Sequence, residues 1–495
     1  MTRVLRSASK KVQPKVDQEK KLAVSKKSKV IKKGAKKTKI NSKDVSSNPI
    51  WNINPVMSTI FSYVEHKDLI AFNSVCKKWN QLTSPIIHRS IKLLSEKFDK
   101  KKLKGRKANI DAKVSAEIKK CIDNNSKFAP LVKEFNYNYR IEPKVALQFF
   151  DVFKFIKVLT LQSVTLTQDQ FLSMINPLKQ LEELNLRFLD IKKMVRNRIY
   201  TQPIKLPSSL TKLNINRSNF NDIDIIIETI NSHTNLKKFR IYSGNKDDFL
   251  IPFYSYYPSL EYLDFSSTGN GEKIFKIIET NSQLKTLKVS LSTICENLTR
   301  HIENNLVNLE NLSLVSLRKF FNYIPTESLN FCKQFKLKKL EVLIDYLNES
   351  SFANVLNCCP YLEDLTVQLP ETWDGLIKVL KEKCLNLKAL TIIPSFTVYK
   401  EVQHELLEEF GRDELYNNKS IINTLTHLTI KHFKFIELKH DYFKNFKNLQ
   451  SIKFPIQWKY DKVGEEIDKK TKLWKNYTLR KVESRYMFDV ELIKY

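Results

Sequence analysis

From about residue 130 onward, the apolar positions of this chain follow a short phrase that keeps returning. Leu-x-x-Leu-x-Leu, or a near variant, begins at Ile156, Leu181, Leu210, Leu236, Leu260, Leu284, Leu309, Leu337, Leu362, Leu387, Leu425 and Leu449. Successive copies lie 24–29 residues apart, apart from one interval of 38 between Leu387 and Leu425. A weaker copy, Val132-x-x-Phe135-x-Tyr137, stands 24 residues before the first. Self-similarity at this period means stacked supersecondary units. The fourth and sixth positions of the phrase alternate with polar neighbours, the pattern of a half-buried strand. A polar turn and a stretch of helical spacing follow. Thr167 with Gln170 has the spacing of a capping box. Asn221 and Asp222 precede an apolar run from Ile223 to Ile230, and Ser350 and Ser351 precede Phe352, Val355 and Leu356. Each unit therefore reads as one strand plus one helix, too small to bury its apolar face until it is stacked on its neighbours.

This register resembles the leucine-rich repeat superfamily, in its intracellular, helix-backed form, over residues 130–455. The resemblance implies an α/β solenoid of about 12–13 repeats, with strands lining the inside of a curve and helices outside. The family often places Asn or Cys three residues after the sixth-position Leu, where it ties neighbouring turns. Here those places hold Val164, Leu189, Ser218, Gly244, Thr268, Ser292 and Leu317. The turns must satisfy their backbone groups by other means. The long interval puts about a dozen extra residues within 394–423. That stretch is acidic, with Glu401, Glu405, Glu408, Glu409, Asp413 and Glu414. It reads as a longer helix and loop or as a partner-binding insertion.

Ahead of the repeats the period changes. Val56, Ile60, Phe61 and Val64, then Leu69, Phe72, Val75, Cys76 and Trp79, fall at helical spacing on either side of the polar Glu65-His66-Lys67. This predicts a small helical hairpin, continued by Ile86, Ile87 and Ile91, with little core of its own. Ile60-Phe61-Ser62-Tyr63-Val64, Asp68-Leu69 and Val75-Cys76-Lys77-Lys78-Trp79 resemble the F-box in order and spacing. The family usually opens with Leu-Pro-x-Glu, where this chain has Asn52-Ile53-Asn54-Pro55. A plain helical cap on the first repeat is the other reading of the segment.

Charge adds a further region. Residues 1–48 hold 14 Lys and 2 Arg against 3 acidic residues, so +13 of the net +31 lies there. With almost no large apolar residues, this tail is expected to be disordered. Lys26-Lys27, Lys32-Lys33 and Lys36-Lys37 have the spacing of a nuclear-import signal. They equally suit weak polyanion contact or a solvated tail. The expected organisation is a Lys-rich tail (1–48), an F-box-like all-α domain (49–95), a helical linker or cap (96–129), the repeats (130–455) and a C-terminal cap (456–495). Trp458, Tyr460, Trp474, Tyr477 and Tyr486 are expected to pack that last cap.

Seven scattered cysteines and the lack of a secretory leader suggest reduced thiols and an intracellular protein, nuclear or cytoplasmic. No apolar run has the length of a membrane span. The 8 His residues form no His-x-x-x-His, and no Cys-x-x-Cys occurs. Cys358-Cys359 are adjacent, which does not suit zinc. Gly269-Asn270-Gly271-Glu272-Lys273 reads as a turn rather than a phosphate loop. No cofactor is expected, and the chain is expected to be non-catalytic.

The F-box resemblance followed by leucine-rich repeats implies a substrate-recognition subunit of an SCF-type, cullin-RING ubiquitin ligase. It places Ile60, Phe61, Leu69, Val75 and Trp79 at the positions that match the family's contacts to the Skp-family adaptor. Some of them serve as internal core, and sequence does not separate the two roles. A ligase-independent repeat scaffold and a nucleic-acid-associated protein led by the basic tail are the rival readings. In the repeats, the third, fifth and seventh positions should point away from the core. Among them Arg187, Lys212, Lys238, Arg240, Tyr242, Tyr262 and Lys288 make an Arg- and Tyr-bearing face. It reads either as a solvated face of a Lys-rich chain or as a site for an acidic or phosphorylated target, with Arg240 and Tyr242 at its centre.

Overall fold

The computed structural model describes residues 54–92, 107–137, 143–192, 205–220, 223–244, 247–267, 272–291, 294, 296–317, 329–344, 347–370, 373–394, 408, 421–431, 439–456, 474, 476–483 and 488–494. The Lys-rich tail, the turn residues 269–271, nearly all of the 394–423 insertion, and Trp458, Tyr460 and Tyr486 lie outside them. The chain divides into two compact units, Met1–Lys157 and Val158–Tyr495.

The first unit opens with three short helices, α1 (Asn54–Ser62), α2 (His66–Asn73) and α3 (Lys77–Ile87). The second apolar run of the sequence is thus split. Cys76 caps α3, its Sγ accepting from the Trp79 N–H at 3.4 Å, so Trp79 opens a third helix rather than closing the second. Met57, Phe61, Leu69 and Ile87 form the core, with Val64, Phe72, Trp79, Leu82 and Ile86 packed against it. The rings of Phe61, Phe72 and Trp79 lie mutually 5.3–5.8 Å apart, two of the pairs edge-on. Strand β1 (Ser90–Lys92) pairs in parallel with β2 (Glu134–Tyr137). Between them runs α4 (Lys107–Asn125), and after them α5 (Pro143–Val152). Phe149 of α5 packs tilted against Phe135 of β2, and Phe150 meets it edge-on.

In the second unit each phrase is a strand. These are β3 (Val158–Gln162), β5 (Glu183–Arg187), β7 (Lys212–Asn216), β9 (Lys238–Gly244), β10 (Tyr262–Ser267), β11 (Thr286–Leu291), β12 (Asn311–Ser316), β13 (Lys339–Leu343), β14 (Asp364–Leu369), β15 (Ala389–Pro394), β16 (His427–Ile430) and β17 (Ser451–Ile456). They pair in parallel in that order. The register aligns like positions, Leu184 with Leu213 and Leu186 with Ile215. Among the described residues, α-helices of eight or more residues fill six of the intervals: α6 (Gln168–Ile175), α7 (Ile223–Asn231), α8 (Glu272–Thr280), α9 (Glu296–Asn305), α10 (Glu349–Asn357) and α11 (Asp374–Lys383). Short 3-10 turns, Asp247–Phe253 and His440–Phe443, stand instead between β9 and β10 and between β16 and β17, so the expected strand-plus-helix unit does not hold throughout. Leu184, Leu186, Leu213 and Ile215 face Phe171 of α6 and Ile226 and Ile230 of α7 around a small apolar gap. Thr167 and Gln170 close their capping box on α6. At α10 the cap is Asn348, whose side chain accepts from the Ser351 N–H at 2.7 Å; Ser350 and Ser351 are already helical.

The turns are tied at two other places. The residue before the leading Leu reaches back to the preceding unit. Ser209 donates to the Lys179 and Leu181 carbonyls, Ser259 to those of Thr234 and Leu236, Asn235 to Ser208, Gln283 to Tyr257 and Asn386 to Pro360. Buried polar side chains also satisfy loop backbones. The Asn281 Oδ1 accepts from the Tyr257 N–H, Ser351 Oγ from Leu329, and Glu303 Oε1 from Cys332. Of the expected ladder positions, Ser218 acts as one, accepting from the Leu189 N–H at 3.1 Å. Beside it, a second small sheet joins β4 (Thr165–Thr167), β6 (Asp190–Lys192) and β8 (Asn219–Phe220). Ser163, Phe188 and Arg217, each directly after a strand or one residue on, adopt φ of 56°, 51° and 46° without glycine.

The sheet ends differently. Strand β19 (Phe488–Lys494) pairs antiparallel with β17 and with β18 (Tyr477–Glu483). Trp474 is buried against Phe443 and Tyr477 nearby.

Candidate functional site

Two surfaces carry the residues singled out by sequence. On the first, the three-helix unit separates what helical spacing could not. Phe61 and Leu69 are each 2% exposed and belong to the core. Trp79 packs its ring on Phe61 and Phe72. Phe61 and Leu69 hold the helices together from within the core, and Trp79, half-buried, packs against them. Ile60 (41% exposed) and Val75 (61%) face outward. So do Val56, Tyr63 and Ile70, which the sequence reading did not single out. Val56, Ile60 and Tyr63 are spaced four and three residues apart, one stripe along α1. The missed signal was that stripe, one position round the helix from Met57 and Phe61. Five large apolar side chains of this small helical segment are thus exposed.

The second surface is the sheet face made by the third, fifth and seventh positions. Burial alternates along the strands, as in β7 and β11, with the leucine row inside. Arg187, Lys238, Arg240 and Tyr242 are exposed, and Lys212, Tyr262 and Lys288 half-buried. The parallel register sets Arg240 beside Asp264, and Asp264 beside Lys288. The cations of this face are largely matched by its own carboxylates. Arg240 donates through Nε to Asp264 at 2.7 Å and through a terminal nitrogen to the Tyr262 hydroxyl at 2.8 Å. That hydroxyl in turn donates to Asp264 at 3.2 Å. Burial and the neighbouring Asp264 carboxylate together raise the Tyr262 phenol. Lys212 pairs with Glu183 at 3.4 Å, and Lys339 with Asp364. Lys288 reaches across β12 to Glu341 at 3.3 Å, and Ser313, between them in register, donates to the same carboxylate at 2.7 Å. Burial alone would raise the Glu341 carboxyl, but Ser313 and Lys288 outweigh it and hold it below the usual range. Exposed pairs of this kind contribute about 0–1 kcal/mol each to stability. Their larger effect is on binding, because a ligand carboxylate at Arg240 must compete with Asp264. The expected centre of the face is therefore occupied from within.

Unmatched charge remains at Lys238, where β9 starts, and at Arg187 and Arg217, where β5 and β7 end. Arg187 and Arg217 are exposed, and neither lies in an ion pair among the described residues. Arg217 stands at the turn after β7, its N–H donating to the Tyr242 carbonyl, and the Phe188 N–H donates to Asn216. The Arg217 guanidinium lies 5.9 Å from the Phe188 ring and 5.7 Å from that of Tyr242. Phe188 is 47% and Tyr242 38% exposed. Lys238, at the start of β9, lies over the Tyr262 ring instead, 5.8 Å from its centre. Phe188 and Arg217 escaped the sequence reading because they occupy the eighth position, one beyond the strand alternation. Their left-handed backbone turns them onto the same rim as Tyr242.

Among the described residues no group of three or more His, Cys, Asp or Glu could hold a metal ion, and no helix is long and apolar enough to cross a membrane. Cys358 and Cys359 are buried, and burial raises both thiols.

Comparison with known proteins bears on the first surface. A family model described as F-box-like matches residues 54–93, the segment of α1 to α3 and β1. No curated protein matches the chain. Among solved structures, the chain is similar to one in the crystal structure of the TLR13–ssRNA13 complex, at 15% identity and a TM-score of 0.35. The likeness covers 65% of this chain and 52% of that one, so this chain spans about half the length of its neighbour. The chain thus joins an F-box-like domain to a large parallel-stranded sheet with intervening helices.

Proposed function

We propose that this chain is the substrate-recognition subunit of an SCF-type ubiquitin ligase. The F-box-like domain docks on a Skp-family adaptor, and through it on a cullin-RING ligase. The repeats, read as a leucine-rich repeat solenoid, hold a target protein. One observation carries the reading: the segment matched as F-box-like keeps Phe61 and Leu69 for its core while leaving Val56, Ile60, Tyr63, Ile70 and Val75 in water. In this role the chain does no chemistry. It holds target lysines near a ubiquitin-loaded enzyme, and effective concentration supplies the rate.

The test is co-purification of the full chain with a Skp-family adaptor. Ile60→Asp and Val75→Asp each put a charge into the contact, an unpaired cost of several kcal/mol, at positions where the free domain exposes the side chain. Adaptor should be lost from both variants while their melting curves stay unchanged. Adaptor that never co-purifies, or that stays on both variants, defeats the proposal.

A further inference from the structure

We infer that the rim formed by Arg187, Phe188, Arg217 and Tyr242 is the anchor point for an extended, acidic peptide segment of the target. The inference rests on the proposal that the repeats hold a protein, and it names the chemistry of that partner.

Charge complementarity is the first argument. Across the sheet face Lys212, Arg240, Lys288 and Lys339 are matched by Glu183, Asp264, Glu341 and Asp364. Arg187, Arg217 and Lys238 are not matched among the described residues. Of these, Arg187 and Arg217 stand together at the strand ends, while Lys238 lies at the start of β9 over the Tyr262 ring. An incoming carboxylate gains most where it displaces no internal partner, and guanidinium is the group best shaped to hold it. Geometry is the second argument. Arg187 pairs in register with Asn216, the residue before Arg217, so one guanidinium stands at the end of β5 and the other at the turn that follows β7, its neighbour about 5 Å away. Carboxylates two residues apart on an extended peptide lie on one side at comparable spacing, and suit two separate cations better than one convergent pocket. The third argument is the aromatic frame. Phe188 and Tyr242 flank Arg217, restrict its motion and leave apolar edges on which a ligand side chain between two acids can rest. The same frame disfavours a nucleic-acid strand. Arg217 already occupies one side of each ring, which base stacking would need, and the carboxylates along the face interrupt a continuous phosphate track.

The test uses the full-length chain and a short synthetic peptide in which Glu alternates with Leu, carrying a benzophenone photocrosslinker. A Gln-for-Glu copy and single-stranded oligothymidylate serve as competitors. Crosslinks mapped by mass spectrometry should fall on the tryptic peptides that end at Arg187 and Arg217 and on those that contain Phe188 and Tyr242. Affinity should drop about tenfold for each guanidinium removed, in Arg187→Glu and Arg217→Glu. Arg217→Asn, which tolerates the left-handed turn, removes the charge without reversing it and should show the same direction of loss. Lys339→Glu should leave binding unchanged, and contact with the basic tail is common to every variant. Crosslinks elsewhere, equal binding of the Gln peptide, or full affinity in the two Arg→Glu variants would overturn the inference. So would oligothymidylate that displaces the peptide from these same residues. Adaptor co-purification on the same preparations separates the two proposals. Peptide capture without adaptor defeats the ligase reading and leaves the site standing, whereas adaptor without peptide capture defeats the site.

Discussion

Replacing Asn281 by Ala should cost the second unit about 2–3 kcal/mol, although the side chain touches no ligand and carries no charge. Asn281 follows α8 and is fully buried. Its Oδ1 accepts from the Tyr257 N–H at 2.9 Å, and its Nδ2 donates to the carbonyls of Phe253 at 2.9 Å and Ile277 at 3.1 Å. Those two carbonyls keep other donors after the change: the Thr280 hydroxyl reaches Phe253, and the Asn281 N–H itself reaches Ile277. The Tyr257 N–H loses its acceptor inside the core. One orphaned buried donor costs about 1–3 kcal/mol, and the small void left behind adds to it. Asn281→Asp keeps the acceptor but buries a carboxylate, so it should be worse than Ala. Urea unfolding followed by circular dichroism measures the loss. Hydrogen exchange locates it, since the Tyr257 amide should exchange roughly 30- to 150-fold faster. An Ala variant with the parent's midpoint and a still-protected Tyr257 amide would refute the account of how these loops are satisfied.

Two further outcomes follow from the same geometry. Phe61→Ala should remove about 3–5 kcal/mol from the three-helix unit and open residues 54–92 to limited proteolysis, so it loses adaptor by a different route from Ile60→Asp; continued resistance to protease would contradict the assignment of Phe61 to the core. Glu341 has its carboxyl held down in the folded state, so its contribution is present above the ordinary carboxylate pKa and is lost as pH falls through the lower folded value. Melting temperature should therefore fall more steeply between about pH 5 and 3 in the parent than in Glu341→Gln; parallel curves would exclude the Ser313–Glu341–Lys288 arrangement as a source of acid sensitivity.

The strands were legible because a two-residue alternation inside a fixed long period has few explanations. The α6 cap was legible because Thr167 and Gln170 are neighbours in sequence. What stayed hidden depended on register between repeats. That Arg240 meets Asp264, 24 residues away, follows only when β9 and β10 are laid side by side. The ties that replace the expected Asn ladder were visible in retrospect as Ser209, Asn235, Ser259, Gln283 and Asn386, a polar residue just before the leading Leu. In the F-box-like domain, Ile60 and Phe61 differ by 100° around one helix. Two apolar neighbours in sequence do not reveal which of them faces the core until α3 is placed. The eighth-position pair, Phe188 and Arg217, required the left-handed turns, which non-glycine residues seldom announce.

The reversal at the end of the sheet has a bearing on length control. From β3 to β17 every neighbour runs the same way, and such a ladder contains no internal instruction to stop: any parallel strand of suitable pattern, including one from another molecule, could serve as the next rung. The hairpin of β18 and β19 supplies the stop. It lays an antiparallel arm on β17, and its outer strand carries the exposed, charged Arg480, a poor feature in a template for another strand. A repeat array built this way measures itself once, within a single chain, and the number of rungs it offers a partner is fixed by the gene rather than by concentration.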